Sequence, residues 1–129
     1  MSKVLTDFTD GFNFALELKE HSKITPNDYL KCCAFLEELS KSKKLSFVFD
    51  DYDVLYTEKE IVSSKGEILR IDRMFYDQNC WWIIDYKTAN KTPSDITQIE
   101  IYINVLKEMG YKKIKGLLIY LPRLEVIHV

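Results

Sequence analysis

Two stretches of this 129-residue chain hold residue types at a spacing that suits catalysis. Asp85-Tyr86-Lys87 sets an acid and an amine two residues apart, and Asp72 lies upstream of them. Both stretches are β-prone: 66–75 and 81–87 read as strands, the second rich in Trp and Ile, with Asp77-Gln78-Asn79-Cys80 between them as a tight turn. A two-residue loop, here Gln78 and Asn79, is the commonest hairpin connection. It pairs Asp77 with Cys80, and counting back along both strands sets Asp72 opposite Asp85. Directly opposed side chains have Cβ atoms about 4.5–5.5 Å apart, where like charges repel. Two carboxylates so placed either raise a pKa or share a cation. The period of two puts Trp81, Ile83, Asp85 and Lys87 on one face, so Asp72, Asp85 and Lys87 converge. A register slip of one residue would carry Asp72 to the other face.

Phosphodiester hydrolysis is the chemistry this constellation suits. Paired carboxylates hold Mg²⁺ or Mn²⁺, which prefer oxygen ligands, and such an ion activates water and neutralises phosphate charge. Lys87 can orient the water or stabilise the charged transition state. An acid-x-lysine triplet is also common on solvated strands, and Asp72 across the hairpin is what sets this one apart. Gln98 and Tyr102, at i and i+4, share a helix face that continues through Val105 and Met109 and is expected to pack on the sheet. A glutamine there needs partners for its amide: the site, nearby DNA, or solvent near the helix start.

The elements that must position these residues follow from local signals. The first 45 residues read as helical, with Phe8, Phe12, Ala15, Leu16 and Lys19 at helical spacing. Thr25-Pro26-Asn27-Asp28 opens a helix to about Ser40, with Thr as cap, Pro in the first turn and an acid three residues on. Tyr29, Leu30, Cys33, Leu36 and Leu39 form its expected apolar face. Ser46–Phe49 is a short β-prone run and Val54–Val62 a strand. Thr92-Pro93-Ser94-Asp95 opens a second capped helix, spanning 94–109 and ending at Gly110. Strands Ile114–Leu121 and Leu124–Val129 close the chain. The order ααβββαββ describes one α/β domain, a helical part over 1–45 and a sheet core over 46–129, in which helices cover a sheet of about five strands.

Composition bounds the rest. Apolar residues make up 47% and aromatic residues 13%, enough for a folded core, and no apolar run is long enough to cross a membrane. The first residues, MSKVLTDFTDGF, lack the apolar region of a secretory signal. Eighteen basic against twenty acidic residues give a net charge of −2 and no global field for nucleic acid. Cys32, Cys33 and Cys80 form no C-x-x-C and read as buried free thiols in a reducing cytoplasm.

Gly66-Glu67-Ile68-Leu69-Arg70-Ile71-Asp72-Arg73, then Ile83-Ile84-Asp85-Tyr86-Lys87-Thr88, then Gln98-x-x-x-Tyr102 resemble the motifs of RecB-type nucleases, members of the PD-(D/E)xK or restriction-endonuclease-like superfamily. The likeness is greatest to the C-terminal nuclease domain of AddA/RecB helicase–nucleases and covers about residues 54–129. It implies a restriction-endonuclease-like fold and Mg²⁺- or Mn²⁺-dependent DNA cleavage in double-strand-break processing and recombination. It also implies a metal held by Asp72, Asp85 and the Tyr86 carbonyl, Lys87 as catalytic lysine, and Gln98 and Tyr102 in support. DNA, as a single strand or duplex end, is the implied substrate. A helicase domain or subunit is the implied partner, which would deliver the strand to a domain of this charge.

The resemblance departs from the family in one place. The family places a metal-ligand histidine on an early helix, where this chain has Asn13 before Phe14-Ala15-Leu16-Glu17. Asn13 can offer an oxygen, but more weakly than an imidazole serves a softer metal, so activity is expected to be reduced. His21 and His128 read as structural or solvent-facing. Glu58 and Glu60 share a face of the first strand and offer a third acid near the metal, or a solvated face. Trp81 and Trp82 are expected to pack rather than stack on bases. Lys107, Lys112, Lys113 and Lys115 read as a solvated helix end or phosphate contacts. An iron–sulfur cluster of the kind some relatives carry needs four cysteines, and this chain has three. Substitution of Lys87 or Asp72 by Ala is expected to remove cleavage with little loss of fold. The alternative function is a catalytically weakened or inactive nuclease-fold module serving DNA binding or assembly.

Overall fold

The computed structural model describes residues 9–21, 23–50, 52–87, 91–121 and 125–129. Residues 9–50 with Leu121 belong to one compact unit; residues 52–120 with 125–129 belong to another. Phe8 and the joint at Pro122-Arg123 lie outside the described residues.

The first unit carries α1 (Thr9–Glu20), α2 (Pro26–Lys41) and a 3₁₀ turn (Ser46–Phe49). The cap of α2 forms as its sequence signals: Asp28 N–H donates to Thr25 Oγ1 at 3.1 Å, and Pro26 fills the first turn, where no amide donor is needed. Its buried stripe is Cys32, Leu36 and Leu39, spaced i, i+4, i+7. Leu30 lies off that stripe and is exposed, which corrects the expected face. The Cys32 thiol donates to the Leu121 carbonyl, and burial pushes it up to about 11. Cys33 and Cys80 are only half-buried.

Ser46–Phe49 is not a strand. Val48 N–H bonds to the Leu45 carbonyl and Asp50 N–H to that of Phe47, and the successive residues Val48 and Phe49 are both buried. A strand with one buried face alternates instead, so β-propensity loses here to tertiary burial.

The second unit is a five-stranded mixed sheet: β1 (Leu55–Val62), β2 (Ile68–Asp77), β3 (Cys80–Lys87), β4 (Ile114–Tyr120) and β5 (Glu125–His128), in spatial order β1-β2-β3-β4-β5. All neighbours are antiparallel except β3 and β4. A parallel pair needs a crossover, and α3 (Pro93–Glu108) supplies it. Among the described residues no helix is long and apolar enough to cross a membrane.

Helix α3 lies against the sheet face that carries Ile83 and Gly116. A Cβ added at Gly116 would come 2.7 Å from Ile99 Cδ1 and 3.6 Å from Ile83 Cγ1. The missing side chain therefore sets how closely α3 approaches. Ile99, Tyr102, Val105 and Leu106 form its buried stripe. Met109, expected on that stripe, is the C-cap and is half exposed; Gly110, at φ +104°, turns the chain away there. At the other end Asp95 accepts the Thr92 N–H at 3.0 Å and the buried Tyr120 hydroxyl at 2.6 Å, tying the start of α3 to β4. Burial raises the Asp95 pKa, but those hydrogen bonds outweigh it and hold the carboxyl below its usual range. Burial first, and the hydrogen bond to and negative charge of Asp95 second, keep the Tyr120 phenol well above its ordinary value.

Candidate metal and phosphate site

The hairpin between β2 and β3 has the two-residue loop its sequence suggests. Gln78 and Asn79 take φ +49° and +63°, the left-handed pair of a type I′ turn, whose twist matches the flanking strands. Asp77 pairs with Cys80, and the ladder runs back through Tyr76–Trp81, Phe75–Trp82 and Met74–Ile83 to Arg73–Ile84. Asp72 and Asp85 are the next pair in that register, one step past the last ladder pair. There the Asp72 side chain takes over from the backbone: its Oδ2 accepts the Tyr86 N–H at 2.9 Å. The N–H and C=O of a strand residue leave the same edge, so the Tyr86 carbonyl is also directed towards β2.

The two carboxylates adjoin in a largely dry place. The side chains of Asp72 and Asp85 are 14% and 11% exposed. Burial first, and repulsion from Asp85 second, push Asp72 up to about 7, against the Tyr86 N–H and the Arg70 guanidinium, which favour the charged form. Tyr102 is raised too, by burial and then by the charges of Asp85 and Asp72.

Lys87 closes the arrangement. Its Nζ lies 2.9 Å from Asp85 Oδ2, yet that buried oxygen accepts no well-aligned hydrogen bond. The contact is a charge pair with acceptor capacity to spare. Lys87 Nζ donates instead to Gln98 Oε1, and Gln98 Nε2 donates to the Tyr102 hydroxyl at 3.0 Å. The glutamine amide thus has a partner at both ends and fixes the amine over the carboxylates. This chain of contacts arises because Ile83, Asp85 and Lys87 share the face on which α3 lies, and because Gln98 and Tyr102 are one turn apart on that helix.

The outer acids do not complete a cage. Among the described residues no three His, Cys, Asp or Glu side chains come together as a cation site. Glu58, 70% exposed, turns to Arg70 at 3.7 Å, and Glu60 is exposed on β1. Of the two readings of these acids, the solvated face describes their exposure, and Arg70 stands between Glu58 and Asp72. Asn13 is on α1 in the first unit, exposed. His21 lies just past the end of α1 and His128 at the end of β5, both exposed.

What remains is two adjoining buried carboxylates, an all-oxygen set with a backbone carbonyl on the neighbouring strand edge. That set fits a hard cation such as Mg²⁺, which is commonly held by one or two carboxylates and keeps several waters. The raised Asp72 pKa is compatible with this, because its causes, burial first and repulsion from Asp85 second, are ones a bound cation would relieve.

The tryptophans do pack. Trp81 meets Tyr76 and Tyr111 with ring centroids 5.0 and 4.9 Å away, and Trp82 lies under the Lys115 ammonium at 5.5 Å. Lys107, Lys112, Lys113 and Lys115 are exposed.

Sequence reasoning gave no role to two residues near the site. Tyr120, beside Lys87 in the β3–β4 register, holds Asp95 and through it the helix that carries Gln98. Arg70 reaches Asp72 Oδ1 at 3.9 Å. The signal for Arg70 was available, since a residue two positions before Asp72 shares its face. No protein-family model matches the chain, and comparison with curated proteins finds no relative.

Proposed function

We propose that the second unit is a Mg²⁺- or Mn²⁺-dependent deoxyribonuclease core of the restriction-endonuclease-like, RecB-type kind, working as the nuclease module of a helicase–nuclease in break processing. The observation that carries the reading is the adjoining pair Asp72–Asp85 on neighbouring strands, with Lys87 Nζ 2.9 Å from Asp85. Asp72 on β2, Asp85 and Lys87 on β3, and Gln98 and Tyr102 on α3, the residues that carry the resemblance, are linked through the Tyr86 N–H and their own side chains.

In this reading Asp72 and Asp85 hold the ion, with the Tyr86 carbonyl beside them. A bound divalent ion supplies charge neutralisation on the phosphate and a more acidic water. Lys87 offers its ammonium to the attacking water or to the phosphoryl oxygens as charge develops. Gln98 and Tyr102 hold that ammonium in place, so less reorganisation is needed during reaction. Burial of both carboxylates strengthens every charge interaction there.

The test is calorimetric titration of the intact chain with Mn²⁺. One site is expected, with Asp85→Asn weakening it at least about tenfold, since even the loss of a group that only supports a ligand costs that much. Unaltered Mn²⁺ binding in Asp85→Asn would remove the metal site. Binding that depends on Asp85 but supports no DNA cleavage would leave the alternative, a nuclease-fold module for DNA binding or assembly.

A further inference from the structure

Arg70 is placed where it need not be. In the β1–β2 register it stands opposite Glu60, yet its guanidinium reaches along β2 and diagonally across to β1, 3.9 Å from Asp72 Oδ1 and 3.7 Å from Glu58 Oε1. The ladder of β1 and β2 runs on both sides of the Glu58–Asp72 position but omits that pair. Glu58 sits there at φ +51°, a left-handed conformation uncommon for a residue other than glycine, asparagine or aspartate. Its side chain and that of Arg70 are 70% and 57% exposed, whereas Asp72 is buried to 14%. The guanidinium therefore spans from the rim to the buried carboxylate.

Charge arithmetic gives the span a meaning. Glu58, Glu60, Asp72 and Asp85 carry four negative charges when ionised; Arg70 and Lys87 carry two positive ones. A divalent ion on Asp72 would cancel that excess and bring like charge against the guanidinium. Both Arg70 contacts are long, largely exposed and not the two-pronged geometry that makes an arginine–carboxylate pair strong, so they yield easily. An arginine released at an exposed rim presents a planar fork of donors suited to phosphate.

We infer that Arg70 is the resident counter-cation of Asp72, displaced when a divalent ion binds and then presented to a phosphate of the DNA strand. The inference rests on the metal site proposed above and adds to it a competing cation. By linkage, whatever affinity Arg70 has for Asp72 is subtracted from the affinity for the ion, so removing Arg70 tightens ion binding while weakening the hold on the strand.

The test compares the chain with Arg70→Gln and Arg70→Lys by Mn²⁺ calorimetry. A parallel series in a Lys87→Ala background, which blocks cleavage, measures fluorescence anisotropy of a short single-stranded oligonucleotide. Arg70→Gln is expected to bind Mn²⁺ about three- to tenfold tighter, the size of two exposed ion pairs. It is also expected to bind the oligonucleotide several-fold more weakly with Mn²⁺ but not with chelator. Arg70→Lys, which keeps the charge, stays near the parent for Mn²⁺. Equal or weaker Mn²⁺ binding in Arg70→Gln, with the parent binding normally, overturns the counter-cation role and leaves the metal site standing. Unchanged oligonucleotide affinity overturns the hand-over to phosphate. No Mn²⁺ binding by any of the three removes the metal site and this inference with it.

Discussion

Lys87→Ala is expected to reduce Mn²⁺-dependent cleavage of single-stranded DNA by about 10²–10³-fold, the usual cost of removing one preorganised electrostatic group from an active site. The amine stands 2.9 Å from Asp85 and is held by Gln98, so its loss removes a positioned donor from the proposed metal site. The same substitution also touches the fold. Lys87 is 20% exposed and pairs with a buried carboxylate. Removing the partner of a buried charge is destabilising, by about 3–5 kcal/mol for a fully buried pair, and solvent access here puts Lys87→Ala below that range. For the metal-free protein Lys87→Ala is therefore expected to cost more stability than a solvated lysine would. With Mn²⁺ present the ion takes over the compensation, and the stability deficit is expected to shrink. Cleavage rates and urea midpoints with and without Mn²⁺ check both halves. A variant that cuts like the parent would remove Lys87 from the mechanism.

Metal-free stability is expected to fall as pH rises from 4 to 7, and Asp72 is the cause. Its folded pKa is about 7, against an ordinary carboxylate value of 3.8. Between those values the folded chain holds a proton that the unfolded chain has released. Stability is therefore greatest below the unfolded value and is lost as pH rises through the folded one, at no more than about 1.4 kcal/mol per pH unit. Asp72→Asn keeps an acceptor for the Tyr86 N–H while deleting the charge. In chelator it is expected to lose that part of the slope and to exceed the parent in stability at pH 8. Mn²⁺ at pH 8 then reverses the order, raising the urea midpoint of the parent and leaving Asp72→Asn where it was. Equal pH slopes for the two proteins in chelator would show that Asp72 does not carry the charge conflict. In the proposed reading stability and function oppose each other at this residue, as they do where charged groups are held together for a ligand.

How much of this was legible depended on the distance over which each contact is specified. The Asp72–Asp85 placement could be read because a two-residue loop at Gln78-Asn79 sets the whole register of β2 against β3. The α/β class and five-stranded mixed sheet could be read because capping signals at Thr25 and Thr92 and β-rich runs alternate clearly. Tyr120 beside Lys87 could not, because β3 and β4 are parallel and joined through α3, so no short turn fixes their register. Arg70 beside Asp72 follows from their shared strand face, but its diagonal contact with Glu58 depends on a backbone irregularity at the Glu58–Asp72 gap that the residue types do not announce. Ser46–Phe49 was misread because a four-residue apolar run carries too little period to separate a strand from a tight helical turn. Met109 was misplaced by extending a helix face one turn past its cap.

The most direct measurement is anomalous diffraction from crystals of the intact chain grown with Mn²⁺. The expected result is a single strong anomalous peak bonded to one carboxylate oxygen of Asp72 and one of Asp85. An Mn²⁺-saturated crystal with those two carboxylates uncoordinated, and the ion elsewhere or absent, would contradict the account.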